Sequence, residues 1–247
     1  MSSQPADEAT VAVLGADELN LEILRGMQRH ERQTLVPLLS PAEMQHGEVS
    51  IPDLLDRAVT QLDERPQPVD AIVGFWDFPV STLVPLLAAR YGLRSASLES
   101  VVMCEHKYWS RLAQQQVIDD HPPFGLVDIH GGGHLPDGVG YPVWLKPVKS
   151  YSSELAFHVS DDEQLATAVA EIRDGIGRLG RPFEEVLDWI DLPPAIVEVG
   201  GQACLAEEAL TGARAATEGY VHDCRVVVHG VLGTCGTSAS TPPSRGS

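Results

Sequence analysis

Residues 141–159 read YPVWLKPVKSYSSELAFHV. An apolar run ends at Lys146-Pro147, a second lysine follows at Lys149, and Ser150, Ser152 and Ser153 lead into another apolar run. Ammonium groups beside a bend rich in hydroxyls and free backbone amides suit a bound phosphate, with fixed positive charge on one side and N–H and O–H donors on the other. The competing reading is an ordinary polar turn with solvated lysines, and a motif this short leaves both open. Of the 17 basic side chains only three are lysine, and Lys107, Lys146 and Lys149 fall within 43 consecutive positions. A compact ammonium fits a phosphate oxygen approached through a narrow gap, whereas a guanidinium suits flat, bidentate partners. Chance clustering of three rare residues is the alternative.

Other residues offer less. His130-Gly-Gly-Gly-His134 could present two imidazoles to a metal, yet no nearby cysteine or carboxylate repeat completes a site, so a glycine-rich surface loop is the better reading. Trp76-Asp77 follows a strand-like run, where ligands gather in open α/β sheets; a helix N-cap is the preferred role for Asp77. TVAVLGADEL has one glycine where a dinucleotide fingerprint needs three. Cys104, Cys204, Cys224 and Cys235 form no C-x-x-C pair and read as reduced, mostly buried thiols.

The elements that must carry these residues alternate over the first hundred positions. Strand-like runs at 10–16, 33–40 and 70–77 are separated by helical patterns at 17–30, 51–64 and 81–92, which predicts a parallel sheet covered by helices. Pro37 places the second run at a sheet edge. Residues 93–104 are expected to supply a short fourth strand and a crossover, and 105–116 a helix presenting Tyr108 and Leu112. The loop-rich 117–140 marks the boundary between lobes. VWLKP and ELAFHV then form a hairpin across KPVKSYSS. Ser160 and Glu163 read as a capping box for a long helix, with Leu165, Val169, Ile172, Ile176 and Leu179 as its core stripe and Gly180 as its C-cap. Strands are expected at 195–199, 203–210, 216–221 and 225–232, the last two joined through His222-Asp223-Cys224.

A chain of 247 residues with 43% hydrophobic and 21% charged content is long enough to bury one large or two smaller cores. Its net charge of −18 argues against nucleic acid and anionic membrane as partners. No apolar stretch reaches membrane-spanning length and MSSQPADEAT lacks the features of a signal peptide, so a cytoplasmic location is expected. Residues 233–247, rich in Ser, Thr, Gly and Pro, are expected to be a disordered tail.

The order of these features is more specific than any one of them. CEHKYWSRL, then YPVWLKPVKSYSSELAFHVSDDEQL, then CLAEEALTG with the GYVHDCRVVVHGV hairpin, resemble the ATP-grasp superfamily over residues 10–232. The resemblance implies an α/β fold in which a Rossmann-like pre-ATP-grasp domain (1–104) precedes a partial ATP-grasp α+β domain (105–232). It implies that Lys107 and Lys146 hold nucleotide phosphates, Lys146 also lying near the adenine edge. Lys149, Ser150, Ser152 and Ser153 would belong to a mobile loop over the β- and γ-phosphates. Glu207, Glu208, Ala209 and Leu210 would form the hinge whose backbone reads adenine and whose acidic side chain takes its exocyclic amine. The implied activity is ATP-dependent ligation: a small carboxylic acid, an amino acid among the candidates, is activated as an acyl phosphate and attacked by an amine.

Two departures qualify that. Arg214 stands where many relatives place an acceptor for the ribose hydroxyls, and a guanidinium only donates. The family's Mg²⁺ ligands follow the last hairpin, and the fifteen residues there contain no Asp, Glu or Asn, so the hard oxygen ligands are absent from this chain. A truncated member is therefore the expectation, with a catalytically inactive nucleotide-binding fragment as the alternative to a ligase. An exposed edge at 225–232 leaves a homo-oligomer open.

Overall fold

The computed structural model describes residues 9–27, 32–45 and 49–233. The end of the helix expected to reach His30, the 234–247 tail and Cys235 lie outside the described residues. Of the other three cysteines, Cys204 is buried in a strand, whereas Cys104 and Cys224 are exposed, contrary to the expectation of mostly buried thiols. The chain divides into two compact units, one running to Ala209 and one starting at Leu210.

The first unit opens with β1 (Ala9–Leu14), α1 (Glu18–Arg25), β2 (Gln33–Leu38), α2 (Pro41–Gln45), α3 (Ile51–Asp63), β3 (Ala71–Gly74) and α4 (Val80–Arg90). The three strands are parallel in the order β2-β1-β3, and Pro37 lies on the edge strand, where its missing N–H breaks no ladder. Alternation along β1 sends Val11 and Val13 toward α1 and Ala12 and Leu14 into the larger core with α3 and α4, so helices cover both faces. Asp17 caps α1, accepting from the Asn20 N–H at 2.8 Å, while Ser50 caps α3.

The expected fourth strand at 93–104 is not there. Residues Leu98–Glu105 form helix α5, because the Ser97 hydroxyl accepts the Ser100 N–H at 3.1 Å and nucleates a turn. The Val-Val-Met run that suggests a strand instead buries Val102 from one helix face. Helix α6 (Lys107–Gln115) follows at once, and the loop-rich stretch after it contains β4 (Phe124–Val127).

The second sheet is antiparallel in the order β4-β7-β5-β6, from β4, β5 (Val143–Pro147), β6 (Phe157–Val159) and β7 (Cys204–Glu208). Helix α7 (Asp162–Gly175) covers one face through Leu165, Ala168, Val169 and Ile172. Its cap is Asp161, whose carboxylate accepts the Gln164 N–H at 2.9 Å, rather than Ser160.

The long helix breaks at Ile176, and α8 (Gly177–Leu187) takes over. The apolar stripe therefore divides: residues through Ile176 enter the second core, whereas Leu179 joins the first with Phe183, Val186 and Leu187. Gly180 is interior to α8 and caps nothing. A Cβ there would meet the Gly201 carbonyl oxygen at 2.9 Å and Gln202 Cγ at 2.7 Å, so close approach of the 200–202 loop requires glycine. The expected strand at 195–199 is helix α9 (Pro194–Val197), started by Pro193-Pro194 and burying only Ile196.

The second unit is a hairpin, β8 (Ala215–His222) paired antiparallel with β9 (Arg225–Gly233). Asp223 and Cys224 both have positive φ, 46° and 60°, as a two-residue hairpin turn of the primed type requires.

Candidate functional site

Strand periodicity selects which side chains can meet. Val143 and Leu145 of β5, Cys204 and Ala206 of β7, and Val127 of β4 enter the second core. Their neighbours in sequence must face the other way. Register then lines up Phe124, Glu207, Trp144 and His158 as one row across the four strands, with Leu126, Leu205 and Lys146 as the next. Trp144 and His158 meet edge to face at 5.3 Å between centroids.

Helix α6 delivers the remaining groups to the same region. His106 caps it: Nδ1 accepts the Trp109 N–H at 3.2 Å, and Nε2 meets the Gly200 carbonyl at 3.1 Å. Burial pushes the His106 pKa down, which suits a neutral ring with Nδ1 as acceptor and Nε2–H as donor. The Lys107 N–H donates to the Val148 carbonyl at 2.9 Å, so the start of α6 is tied to the end of the lysine strand.

The Lys107 ammonium donates to the Ser150 carbonyl at 2.6 Å and to its hydroxyl at 3.1 Å. Burial first, then the like charges of Lys149 and Lys146, lower its pKa to about 8, against the pull of Asp77 and Glu105. All three lysines thus share one electrostatic neighbourhood, but in different ways. Lys149 is 2% exposed; its ammonium contacts Glu105 at 2.9 Å and Asp77 at 3.4 Å and sits 4.8 and 5.3 Å from the Phe78 and Phe183 ring centroids. Its charge is matched inside the fold. Asp77 accordingly is not the cap of α4, which starts from Pro79 without a side-chain cap. Its carboxylate accepts the Phe78 N–H at 2.7 Å and faces Lys149. Ser152 and Ser153 hold positive φ values of 49° and 59° in the exposed bend.

Glu207 is the anionic centre of the region. It is 7% exposed, and one carboxylate oxygen is paired with Lys146 while the other accepts from Arg111 Nε at 2.8 Å. Burial alone would raise its pKa; the hydrogen bonds from Arg111 and Lys146 outweigh that and hold it below the usual carboxylate value. Arg111 also donates to Gln114 at 2.5 Å. Sequence reasoning passed over Arg111, although its i,i+4 spacing from Lys107 puts both cations on one helix face. The rest of the expected hinge is separate from this centre: Glu208 accepts the Gly140 N–H at 2.8 Å, the Ala209 N–H donates to the Pro142 carbonyl at 2.8 Å, and Leu210, in the second unit, is exposed.

No family model matches the sequence, and no curated protein matches it. Solved structures do. An L-amino acid ligase from Bacillus licheniformis matches with a TM-score of 0.65 at 16% identity, over 93% of this chain and 53% of that one. N5-carboxyaminoimidazole ribonucleotide synthetase, in its ADP complex, matches at 0.60 and 12% identity, over 96% of this chain and 57% of that one. The VanG D-Ala:D-Ser ligase from Enterococcus faecalis matches at 0.59 and 12%, over 95% and 74%. These matches are ATP-grasp ligases. The chain has the ATP-grasp fold. It spans about half the length of the first ligase named.

Within that ATP-grasp fold the two remaining features stand apart from the lysines. A cavity of about 270 Å³ lies between α6 and β4, lined by Tyr108, Leu112, His121, Phe124 and Asp137 among others, and touches none of the three. The glycine loop at 130–134 is built on Asp128, which accepts the N–H groups of His130 and Gly131 at 2.9 and 2.8 Å. Among the described residues no group of three or more His, Cys, Asp or Glu side chains could hold a metal ion, and none of their helices is long and apolar enough to cross a membrane.

Proposed function

We propose that the chain binds ATP at the face of the β4-β7-β5-β6 sheet that meets helix α6. Lys107 and Lys146 hold the phosphates, and the Ser150–Ser153 bend folds over them. Glu207 accepts from the adenine amine, with the backbone of Glu208 and Ala209 beside the base. In this reading residues 1–104 form the pre-ATP-grasp domain, 105–232 the nucleotide-holding part and 233–247 a tail. Lys149 supports the bend from beneath. The supporting observation is the contact of the Lys107 ammonium with Ser150, just beyond the strand that carries Lys146, which the Lys107–Val148 main-chain bond fixes in place. Phosphoryl transfer depends mainly on such positioning and charge neutralisation.

The reaction class proposed is ATP-dependent ligation, in which a small carboxylate is phosphorylated and an amine then displaces phosphate. A second reading is nucleotide binding without turnover; among the described residues no group of three or more His, Cys, Asp or Glu side chains is gathered to hold a metal ion. ATP should protect the chain against thermal unfolding at millimolar concentration. Release of ADP with Mg²⁺ and a panel of amino acids supports the ligase; protection without release supports the second reading. Absence of protection contradicts both.

A further inference from the structure

A carboxylate with 7% exposure between two cations raises a question of timing. Lys146 cannot neutralise Glu207 and serve a triphosphate fully at once, because a more highly charged anion competes for the same ammonium. When Lys146 turns to the phosphates, Glu207 keeps its desolvation penalty and loses one of its two balancing charges. The charged groups facing it are Lys146 from β5 and Arg111 from α6; β4 contributes the Phe124 ring, and the Glu208 side chain lies on the opposite face. Only Arg111 then remains on the carboxylate.

This inference rests on the nucleotide reading above. We infer that Arg111 is a positioning residue that keeps Glu207 an acceptor while Lys146 is engaged with phosphate, and so sets a preference for 6-amino over 6-oxo purine nucleotides. An ionised carboxylate accepts only, so it can take the exocyclic amine of adenine and repels the 6-oxo oxygen of hypoxanthine. A protonated Glu207 would present a donor and lose that discrimination. The guanidinium is suited to the task because it stays charged across the accessible pH range and grips the second oxygen in a fixed geometry. Strand register places Phe124 and Trp144 as the cross-strand neighbours of Glu207.

The test is calorimetric titration of the whole chain with ATP and with inosine triphosphate at pH 6 and pH 9. The readout is the ratio of the two affinities, in which any loss of phosphate affinity common to both nucleotides cancels. The wild type should prefer ATP at both pH values. Arg111→Gln should lose about tenfold of that preference at pH 6 and recover it toward pH 9, as the carboxyl ionises without its partner. Arg111→Lys should restore most of it. Glu207→Gln, which cannot ionise, should show the weakened preference at both pH values, and it serves if Arg111→Gln does not fold. An Arg111→Gln chain with wild-type preference at pH 6, or a Glu207→Gln chain that keeps the preference, overturns the inference and leaves the nucleotide reading intact. A wild type that binds neither nucleotide overturns both.

Discussion

Lys107 and Lys149 carry the same functional group and lie close enough to repel each other, yet their surroundings give them different work. Lys149 is sealed among Phe78, Phe183, Glu105 and Asp77. Removing a buried cation strands its partners, so Lys149→Met should destabilise the fold by about 2–4 kcal/mol in denaturant unfolding, the exposed side of Asp77 limiting the loss. An unchanged midpoint would contradict the structural role. Lys107 is held by neutral oxygens of Ser150, with its pKa lowered to about 8. Between about pH 8 and the ordinary lysine value the unfolded chain binds the extra proton, so Lys107 contributes to a stability that rises with pH there. Phosphate binding has the opposite dependence, because it needs the ammonium. ATP affinity should weaken above pH 8, and Lys107→Arg should abolish that loss. A wild-type affinity independent of pH from 7 to 9 would show that Lys107 does not meet the phosphates. The lysines were legible from their scarcity; Arg111 was not, because one arginine among 14 carries no compositional signal.

Elements with strong local signals fold as their sequences dictate. The edge proline of β2, the strand alternation in β5 and the paired hairpin at 215–233 all follow from residue type. Errors cluster where β-branched residues sit in short helices. Val101-Val102 in α5 and Ile196-Val197 in α9 favour a strand by propensity, and capping by Ser97 and the paired prolines override it. Gly180 misleads for a different reason: its glycine is required by a loop distant in sequence, which no local pattern reveals. Gly180→Ala should therefore cost about 1–3 kcal/mol by thermal or denaturant unfolding, although alanine is the better helix former. A stabilised variant would mean that the 200–202 loop yields easily.

At the scale of the molecule, the first unit holds two cores that share a helical pair. Helix α7 closes the antiparallel sheet, and α8, its continuation past Ile176, packs against the parallel-sheet half. The fold class follows from strand–helix alternation and then a hairpin, features visible in sequence, whereas the division of one apolar stripe between two cores is a tertiary property. The same arrangement brings α6 against the second sheet, so that cations 39 residues apart, Lys107 and Lys146, come into mutual electrostatic range. A chain with a net charge of −18 repels a triphosphate from most of its surface, and the proposed site is where Lys107, Lys146 and Arg111 are gathered against that repulsion.

Calorimetric titration of ATP into the chain and into its Lys107→Ala and Lys146→Ala variants measures this most directly. The account predicts saturable binding by the wild type and a loss of at least about tenfold in each variant, from removal of one charge-assisted contact. Saturable binding that both substitutions leave unchanged, or no binding by the wild type at millimolar ATP, would contradict it.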